Sequence, residues 1–267
     1  MRSTPQFSVS GASDQWLQSD AMASQWFISD LHLAIERPGT LDLFEHFLAA
    51  YPKTADRLFI LGDLFDAWIG DDDDAELANR VRQAIRTATD RGVAVFVQRG
   101  NRDFLIGRRL MRESGAQLLP DRHVVRVVDQ PSLLMHGDLL CIDDVDYQRA
   151  RRRFRNPLFQ WLMLRKSLPE RRRIAADYRR RSGEETALKP AEIMDVNPAA
   201  VVRELQRHRV RQLIHGHTHR AATHRLTLPD GSQARRIVLP EWHSDRAAAW
   251  ADDGSRLREV QLVQDAG

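Results

Sequence analysis

The chain of 267 residues is 42% hydrophobic and 29% charged, with a formal net charge of +3 at pH 7. This composition argues against a disordered chain and favours a single domain with a large core and an elaboration. The single cysteine, Cys141, excludes an internal disulfide framework and favours a reducing compartment, and the apolar runs are shorter than a membrane-spanning helix requires.

The predicted elements alternate between β-rich runs and helical periodicity, which is typical of layered α/β folds. The chain begins with the polar residues 1–24, which are expected to form a poorly ordered N-terminal extension. Strands are predicted at residues 25–29, 57–61, 93–98, 124–128, 132–135, 212–214 and 235–239. Helices are predicted at 41–50, with Thr40 as the capping residue, and at 75–89, where the acidic residues 71–74 are interpreted as capping the helix start.

Clusters rich in Asp, Asn and His begin where five of these strands stop. They are Ser29-Asp30-Leu31-His32, Gly62-Asp63-Leu64-Phe65-Asp66, Gly100-Asn101-Arg102-Asp103, His136-Gly137-Asp138 and Gly216-His217-Thr218-His219. Open α/β sheets bind ligands beyond the carboxyl ends of their strands, so these clusters are expected to converge. Asp30 and His32 are two residues apart, and so are His217 and His219. On an extended backbone this spacing puts both side chains of a pair on the same side.

Seven of these side chains supply carboxylate oxygen, amide oxygen or imidazole nitrogen, a donor set suited to Mn, Fe or Zn. They are Asp30, His32, Asp63, Asn101, His136, His217 and His219. One ion cannot use all seven. With Asp63 as a bridge, they divide into Asp30, His32, Asp63 and His219 for a first ion and Asp63, Asn101, His136 and His217 for a second. Two ions about 3.5 to 4 Å apart neutralise both the entering and the leaving oxygens of a phosphoryl transfer, so the sequence predicts a two-metal phosphoesterase.

A lone His or Asp at the end of a strand is more often a structural residue than a ligand. Five clusters of one ligand type at five strand ends favour the metal site over that interpretation. Asp66, Asp103 and Asp138 are interpreted as partners that orient ligands or turns, not as ligands themselves.

The motifs Asp-x-His, Gly-Asp-x-x-Asp, Gly-Asn-x-Asp, His and Gly-His-x-His occur in this order and resemble the calcineurin-like metallophosphoesterase superfamily over most of residues 25–245. The resemblance implies an α/β fold, the metallophosphoesterase two-layered β-sandwich flanked by helices. The segment at about residues 145–195, which is rich in arginine, is then a helical lid insertion. Residues 246–267 are expected to be a C-terminal strand or tail of the same domain.

The chain departs from the superfamily pattern at Arg102, where many relatives have a histidine that assists the leaving group. An arginine cannot give up its proton and offers charge and hydrogen bonds instead. The substrate should therefore have a leaving group that needs little protonation, such as the phosphate monoester expelled from a pyrophosphate, whose second pKa is about 6. Arg102 is expected to stabilise charge on the phosphoryl oxygens.

Longer motifs give a narrower resemblance. They are Ser-Asp-Leu-His-Leu, Gly-Asn-Arg-Asp-Phe-Leu-Ile-Gly, His-Gly-Asp-x-Leu-Cys-x-Asp-Asp, Ile-Met-Asp-Val-Asn and Ile-His-Gly-His-Thr-His-Arg. Together they closely resemble the bacterial UDP-2,3-diacylglucosamine diphosphatases of lipid A biosynthesis. The resemblance implies hydrolysis of UDP-2,3-diacylglucosamine to UMP and 2,3-diacylglucosamine 1-phosphate (lipid X), with two divalent ions, usually Mn²⁺.

The same resemblance implies catalytic roles for Asp63, Asn101 and Arg102. The substrate-contacting positions that it implies are Asn101, Arg102, Asp144, Ser182, Thr186, Lys189 and His217. Thr186 stands where many members carry asparagine, and its hydroxyl can still donate one hydrogen bond.

The basic segment between the fourth and fifth clusters carries most of the positive charge. Between Arg149 and Arg181, thirteen Lys and Arg residues stand against Glu170 and Asp177, a local charge of +11 that leaves −8 on the rest of the chain. Seven apolar residues lie among these cations, at 158, 159, 161–164 and 168, and a helix that is both basic and apolar suits an anionic membrane surface. The sequence therefore predicts a lid over the site and a peripheral location on the cytoplasmic face of the bacterial inner membrane. A helical hairpin with solvated arginines is the structural alternative.

Three classes of function remain. The first is a membrane-associated hydrolase of a lipid-linked nucleotide sugar, and the second is a soluble metal-dependent phosphodiesterase or nuclease. The third, a non-catalytic scaffold, is disfavoured because all seven ligand types are present. A nuclease should expose aromatic side chains along a basic groove, whereas a lipid enzyme needs an apolar channel, and nucleic acid is the less favoured partner. No obligate protein partner is indicated.

Overall fold

The computed structural model describes residues 24–54, 56–188 and 195–262, with the side chains of the helix that ends at Leu188 described up to residue 180. Residues 1–23 of the predicted extension and residues 263–267 of the predicted tail thus lie outside the described residues. Within the described ranges, no helix is both long and apolar enough to span a membrane.

Eleven strands and seven α-helices are defined within this part of the chain. The strands are β1 (Gln25–Ile28), β2 (Arg57–Leu61), β3 (Ala94–Gln98), β4 (Gln117–Leu118), β5 (His123–Val127), β6 (Gln130–Leu134), β7 (Gln212–His215), β8 (Ala222–Thr227), β9 (Gln233–Val238), β10 (Ala247–Asp252) and β11 (Leu257–Leu262). The helices are α1 (Pro38–Ala50), α2 (Glu76–Asp90), α3 (Arg108–Ser114), α4 (Val145–Phe154), α5 (Pro157–Leu164), α6 (Leu168–Leu188) and α7 (Pro198–His208).

The strands form two sheets. One has the order β11-β10-β1-β2-β3-β4 and the other β5-β6-β7-β9-β8. Strands β1, β2 and β3 are parallel to one another, and so are β6, β7 and β9. Parallel neighbours end at the same edge of a sheet, so each sheet carries its polar clusters at one edge.

Aromatic residues fill the space between the sheets. Phe27, Phe59 and Phe96 stack with ring centroids 5.3 and 5.0 Å apart, and they pack against Leu134 and Ile214 of the second sheet. The alternate residues of β1 and β2 face α1 and α2 on the outer side, while α7 packs on the outer side of the second sheet. The predicted two-sheet sandwich flanked by helices is confirmed.

Two capping predictions were wrong. Thr40 lies inside α1, whose N-cap is Arg37 without a side-chain cap, because Pro38 starts the helix earlier. The acidic residues 71–74 do not cap the first turn of α2: Asp73 Oδ1 accepts a hydrogen bond from the backbone N of the N-cap residue Ala75 (3.2 Å), which precedes that turn, and the side chain of Ala75 makes no cap. Asp71 instead accepts hydrogen bonds from Gly107 N (2.9 Å), Arg109 N (2.9 Å) and Leu110 N (3.0 Å), and so caps α3.

Candidate metal centre

The five polar clusters occupy the loops that leave β1, β2, β3, β6 and β7. Backbone hydrogen bonds tie these loops to one another: Asp30 N to Gly62 O (3.2 Å), His32 N to Asp63 O (3.0 Å) and Gly216 N to His136 O (2.8 Å). Since these bonds join loops of the same sheet, the ligands that follow β1 and β2 form one set and those that follow β6 and β7 form another, each positioned by the ends of parallel strands. A backbone-to-side-chain bond joins the two sets, from His217 N to Asp30 Oδ2 (2.8 Å).

Five of the seven predicted ligands have a left-handed backbone. Their φ angles are 54° for Asp30, 46° for His32, 50° for Asp63, 72° for His217 and 55° for His219. Asp and His adopt this region more readily than most residues, but it still strains the chain. The expected extended backbone of Asp30-x-His32 and His217-x-His219 was therefore wrong, because each loop turns sharply at the end of its strand.

The predicted first metal site consists of Asp30, His32, Asp63 and His219. His219 Nε2 lies 3.2 Å from His32 Nε2 and 3.4 Å from Asp30 Oδ1, and His32 Nε2 lies 3.9 Å from the same oxygen. Two imidazole nitrogens and a carboxylate oxygen therefore converge on one point.

The predicted second metal site consists of Asp63, Asn101, His136 and His217. Asn101 Oδ1 lies 3.0 Å from both His136 Nε2 and His217 Nδ1. Asp63 stands between the two sites, because its Oδ2 is 3.9 Å from His32 Nδ1 while its Oδ1 is 3.8 Å from His136 Nε2. A carboxylate that offers one oxygen to each side has the geometry of a bridging ligand.

The donor set fits divalent metal ions on three counts. Asp30 Oδ1 and His32 Nδ1 are buried and have no hydrogen-bond partner within the described residues. Such orphaned atoms are costly unless an ion or another ligand binds them. Two groups of side chains bring their donor atoms within 4.8 Å of one another: Asp30, His32 and His219 form one, and Asp30, Asp63 and His136 the other.

Glycines supply the third count, since they allow the backbone to approach the ligands closely. A Cβ at Gly62 would lie 2.6 Å from His136 Nδ1, and one at Gly100 or Gly216 would overlap a carboxylate oxygen of Asp63 or Asp30. Side chains at these positions would occupy the space that the ligands need.

The protonation of two of the four imidazoles also suits a metal. Burial is the main cause that lowers the pKa of His32 and of His217 to about 4, so both rings are neutral at pH 7 and keep a lone pair. Burial alone would lower the pKa of His219, but the nearby carboxylates of Asp30 and Glu241 outweigh it and raise the pKa to about 10. His219 thus carries a proton in a place where a divalent ion would replace it.

The sequence matches the family model described as calcineurin-like phosphoesterase over residues 24–221. The chain belongs to this family. The phosphoesterase is 48% identical to the UDP-2,3-diacylglucosamine hydrolase of Edwardsiella ictaluri over 218 residues, which cover 82% of this chain and 84% of that relative. It is 49% identical over 219 residues to each of the proteins of the same name from Enterobacter sp. and Salmonella arizonae, with 82% of this chain and 91% of each relative covered.

Solved structures with a similar fold are more distant. An archaeal phosphodiesterase gives a TM-score of 0.44 at 13% identity and covers 90% of the phosphoesterase and 99% of its own chain. Vacuolar protein sorting 29 of Cryptosporidium parvum gives a TM-score of 0.41 at 13% identity, with 91% and 97% covered. The predicted superfamily is confirmed by the family match.

Arg102 lies beside Asp63 in the phosphoesterase and is held from the other side by Asp66. Its backbone N donates to Asp63 Oδ1 (2.9 Å), its Nε is 3.9 Å from Asp63 Oδ2, and its Nη1 donates to Asp66 Oδ1 (2.9 Å). Asp66 also pairs with Arg37 (3.3 Å) and with Arg179 of α6. The Arg102 side chain is 38% exposed, so its guanidinium can reach a substrate.

Asp103 and Asp138, the other two carboxylates interpreted as partners of the ligands, fix the loops around the site by hydrogen bonds. Asp103 accepts hydrogen bonds from Leu64 N (2.8 Å) and Gly100 N (2.6 Å), and burial and the charge of Asp63 raise its pKa to about 7. Asp138 accepts from Arg151 Nε (2.6 Å) and so connects the fourth cluster to α4. None of these three carboxylates belongs to the two groups of convergent donor atoms.

Helix α4 lies next to the second metal site. The ring of Tyr147 is 5.9 Å from that of His217, and Arg155, just after the helix, donates to Arg99 O (2.9 Å) and Gly100 O (3.2 Å). Asp144 is the N-cap of α4 and accepts a hydrogen bond from Tyr147 N (3.0 Å). Of the other predicted substrate contacts, Lys189 and the side chains of Ser182 and Thr186 lie outside the described residues.

Sequence reasoning missed Glu241 at the first metal site. Its Oε2 lies 3.0 Å from His219 Nδ1, and its Oε1 lies 3.9 Å from His32 Nε2. The missed signal was the Pro-Glu-Trp-His sequence that follows the predicted strand at 235–239, a sixth polar cluster at a strand end.

Proposed function

We propose that this phosphoesterase hydrolyses the pyrophosphate bond of UDP-2,3-diacylglucosamine and releases UMP and 2,3-diacylglucosamine 1-phosphate, a step of lipid A biosynthesis. The observation that carries the proposal is the identity of 48 to 49% with relatives named UDP-2,3-diacylglucosamine hydrolase over 82% of the chain. The converging donor atoms and Arg102 support it, since a pyrophosphate needs charge stabilisation more than a proton donor.

Two divalent ions, when bound at the two metal sites, supply the positive charge that activates a water molecule and neutralises the phosphoryl oxygens. Asp63 lies between the two metal sites and offers one carboxylate oxygen to each. The hydrogen bond that it accepts from Arg102 N fixes the orientation of this carboxylate. The guanidinium of Arg102 stabilises negative charge on the phosphoryl oxygens and on the departing phosphate. Asn101 and His217 position the phosphoryl group beside it, and Asp144 contacts the sugar.

We further propose that the ions are Mn²⁺. The donors of the two metal sites are oxygen and imidazole nitrogen, which suit manganese, and the thiol of Cys141 is buried in another part of the core. Manganese should therefore restore activity to a chelated sample better than magnesium, which prefers an all-oxygen octahedral site.

Helices α4, α5 and α6 are proposed to cover the acylated half of the substrate and to contact the membrane. Leu158, Trp161, Leu162 and Leu164 of α5 are 44 to 64% exposed, and the guanidinium of Arg165 lies 4.3 Å from the ring of Trp161. Exposed apolar side chains beside cations suit an interface with anionic headgroups. These features support a peripheral location on the cytoplasmic face of the inner membrane.

The proposed substrate is tested by measuring UMP release from UDP-2,3-diacylglucosamine in detergent, with Mn²⁺ and with chelator. UDP-glucose and bis(p-nitrophenyl) phosphate serve as control substrates, and Asp63→Ala as the control variant. We expect fast, metal-dependent release from the acylated substrate alone, and neither turnover nor metal binding in Asp63→Ala. Activity confined to the generic diester would instead identify a soluble phosphodiesterase.

The membrane contact is tested separately by flotation with vesicles that contain anionic phospholipid. Replacing Trp161 and Leu158 by alanine should lower the bound fraction, because both side chains are exposed on α5. Val124→Ala is the matched control, since Val124 is a 40% exposed apolar residue on β5, outside α4, α5 and α6. Equal flotation of both variants and the wild type would contradict a role for α5 at the membrane.

A further inference from the structure

The segment that follows β9 reaches into the first metal site. Glu241 lies in this segment with only 21% of its side chain exposed, and its two carboxylate oxygens approach two different ligands. Oε2 is 3.0 Å from His219 Nδ1, and Oε1 is 3.9 Å from His32 Nε2. The carboxylate therefore lies behind the imidazole of His219 and also approaches the donor nitrogen of His32.

The two nitrogens of His219 have different surroundings. Nε2 faces the other donors, at 3.4 Å from Asp30 Oδ1 and 3.2 Å from His32 Nε2, while Nδ1 faces Glu241. If Nδ1 donates its hydrogen to the carboxylate, the lone pair of Nε2 is left for the ion. A carboxylate in this position fixes the tautomer and orientation of a histidine ligand and raises its basicity.

The backbone next to Glu241 is firmly anchored. The side chain of Trp242 is fully buried, and its Nε1 donates to Ala248 O (3.1 Å). Its backbone N donates to Asp30 O (3.1 Å) and so holds a second ligand of the same ion. Glu241 is thus presented from a rigid segment, as a residue that positions another must be.

The second metal site is held by other means. His136 Nδ1 lies 2.9 Å from Leu61 O, so a backbone carbonyl plays the part that Glu241 plays for His219. Removing Glu241 leaves this contact in place, and the two sites should respond differently to its loss.

We propose that Glu241 is a positioning residue for the first metal site, where it sets the tautomer and orientation of His219. The inference rests on the proposed two-metal function but not on the identity of the substrate. Its loss should weaken binding of one ion by about 10- to 100-fold, the usual effect of removing such a partner, and leave the other ion unchanged.

The experiment titrates Mn²⁺ into chelator-treated full-length protein by calorimetry for the wild type, Glu241→Ala and Glu241→Gln. In Glu241→Ala we expect one weakened site and one of wild-type affinity. Glu241→Gln should retain most of the affinity, because its amide oxygen still accepts from Nδ1. Glu259→Gln is the matched control, since Glu259 is exposed on β11, and it should bind both ions normally.

Two further readouts separate positioning from a general structural defect. Nitrogen chemical shifts of His219 should report loss of the single tautomer in Glu241→Ala, and excess Mn²⁺ should restore full occupancy of the weakened site. Wild-type affinity for both ions in Glu241→Ala would overturn the proposal, and so would equal weakening of both in a folded protein. Since the titration contains no substrate, failure of the lipid assignment would appear only in the UMP assay.

Discussion

Replacing Gly62 by alanine is expected to displace His136 and disable the second metal site. An added Cβ would lie 2.6 Å from His136 Nδ1 and 2.9 Å from Gly100 Cα. Ordinary contacts begin at 3.4 Å, so the imidazole must move by about 0.8 Å or more. Displacements of about 1 Å in a catalytic geometry cost on the order of 100-fold in rate, which corresponds to roughly 2.7 kcal/mol of transition-state stabilisation.

Gly231→Ala is a matched control, because Gly62 has a φ of 91° and Gly231 a φ of 82°, but a Cβ at Gly231 would meet nothing within 4 Å. Both variants should lose about 1 to 2 kcal/mol of unfolding free energy from the left-handed backbone. Only Gly62→Ala should lose activity. The assays are urea denaturation without metal and kcat/KM for UMP release at saturating Mn²⁺. Near-normal kcat/KM in folded Gly62→Ala would refute the reasoning.

Three other predictions concern groups with separate roles. Arg102→Ala should lower kcat by about 100-fold or more while Mn²⁺ stoichiometry stays at the wild-type value, and loss of metal would show that Arg102 supports the site itself. Glu204 binds Arg122 through two hydrogen bonds of 2.7 Å, which outweigh burial and lower its pKa. The resulting stability, about 1 kcal/mol, should be complete above the unfolded pKa near 4.3 and disappear as the pH falls through the lowered folded pKa. Urea denaturation of Glu204→Gln should therefore differ from the wild type at pH 7 and approach it as the pH falls below the unfolded pKa. Burial raises the pKa of Cys141 to about 12, so the native protein should not react with a disulfide reagent at pH 8, whereas the unfolded chain should; rapid native labelling would contradict its burial.

The two-layered sandwich was implied by the family resemblance, and the positions of its inner strands could be predicted because these strands are short, largely apolar runs. Strands such as β2 and β7 are almost fully buried, and such runs are distinctive in sequence. Strand β8 was missed, since its residues are mostly exposed and polar. Strand β10 lies in the predicted C-terminal strand or tail at 246–267, but its bounds were not predicted because Ala-Ala-Ala-Trp-Ala has no alternation. Helix α7 was also missed, although Asn197 caps it and Pro198 follows.

The convergence of the ligands was predictable for a related reason. Parallel strands end at one edge, so clusters at their ends meet whatever the intervening chain does. The same rule would have placed Glu241 near the site, since it follows β9, but not its pairing with His219, which lies on another loop and depends on the position of the buried Trp242. The role of the acidic residues 71–74 was also predicted wrongly, because their partners lie far away in the sequence. Asp72 pairs with Arg171 of α6, a partner 99 residues away.

The left-handed backbone at Asp30, His32, Asp63, His217 and His219 has a consequence for how the protein can evolve. Each such residue costs on the order of 1 kcal/mol or more, which glycine would not incur and asparagine would incur less. The ligands are therefore positions where activity and thermostability select for different residues. A library selected for heat resistance alone should accumulate glycine or asparagine at these five positions, and the most heat-resistant survivors should be inactive. Selection that keeps catalysis must instead find its stabilising changes elsewhere, on the surfaces of the helices and the outer strands.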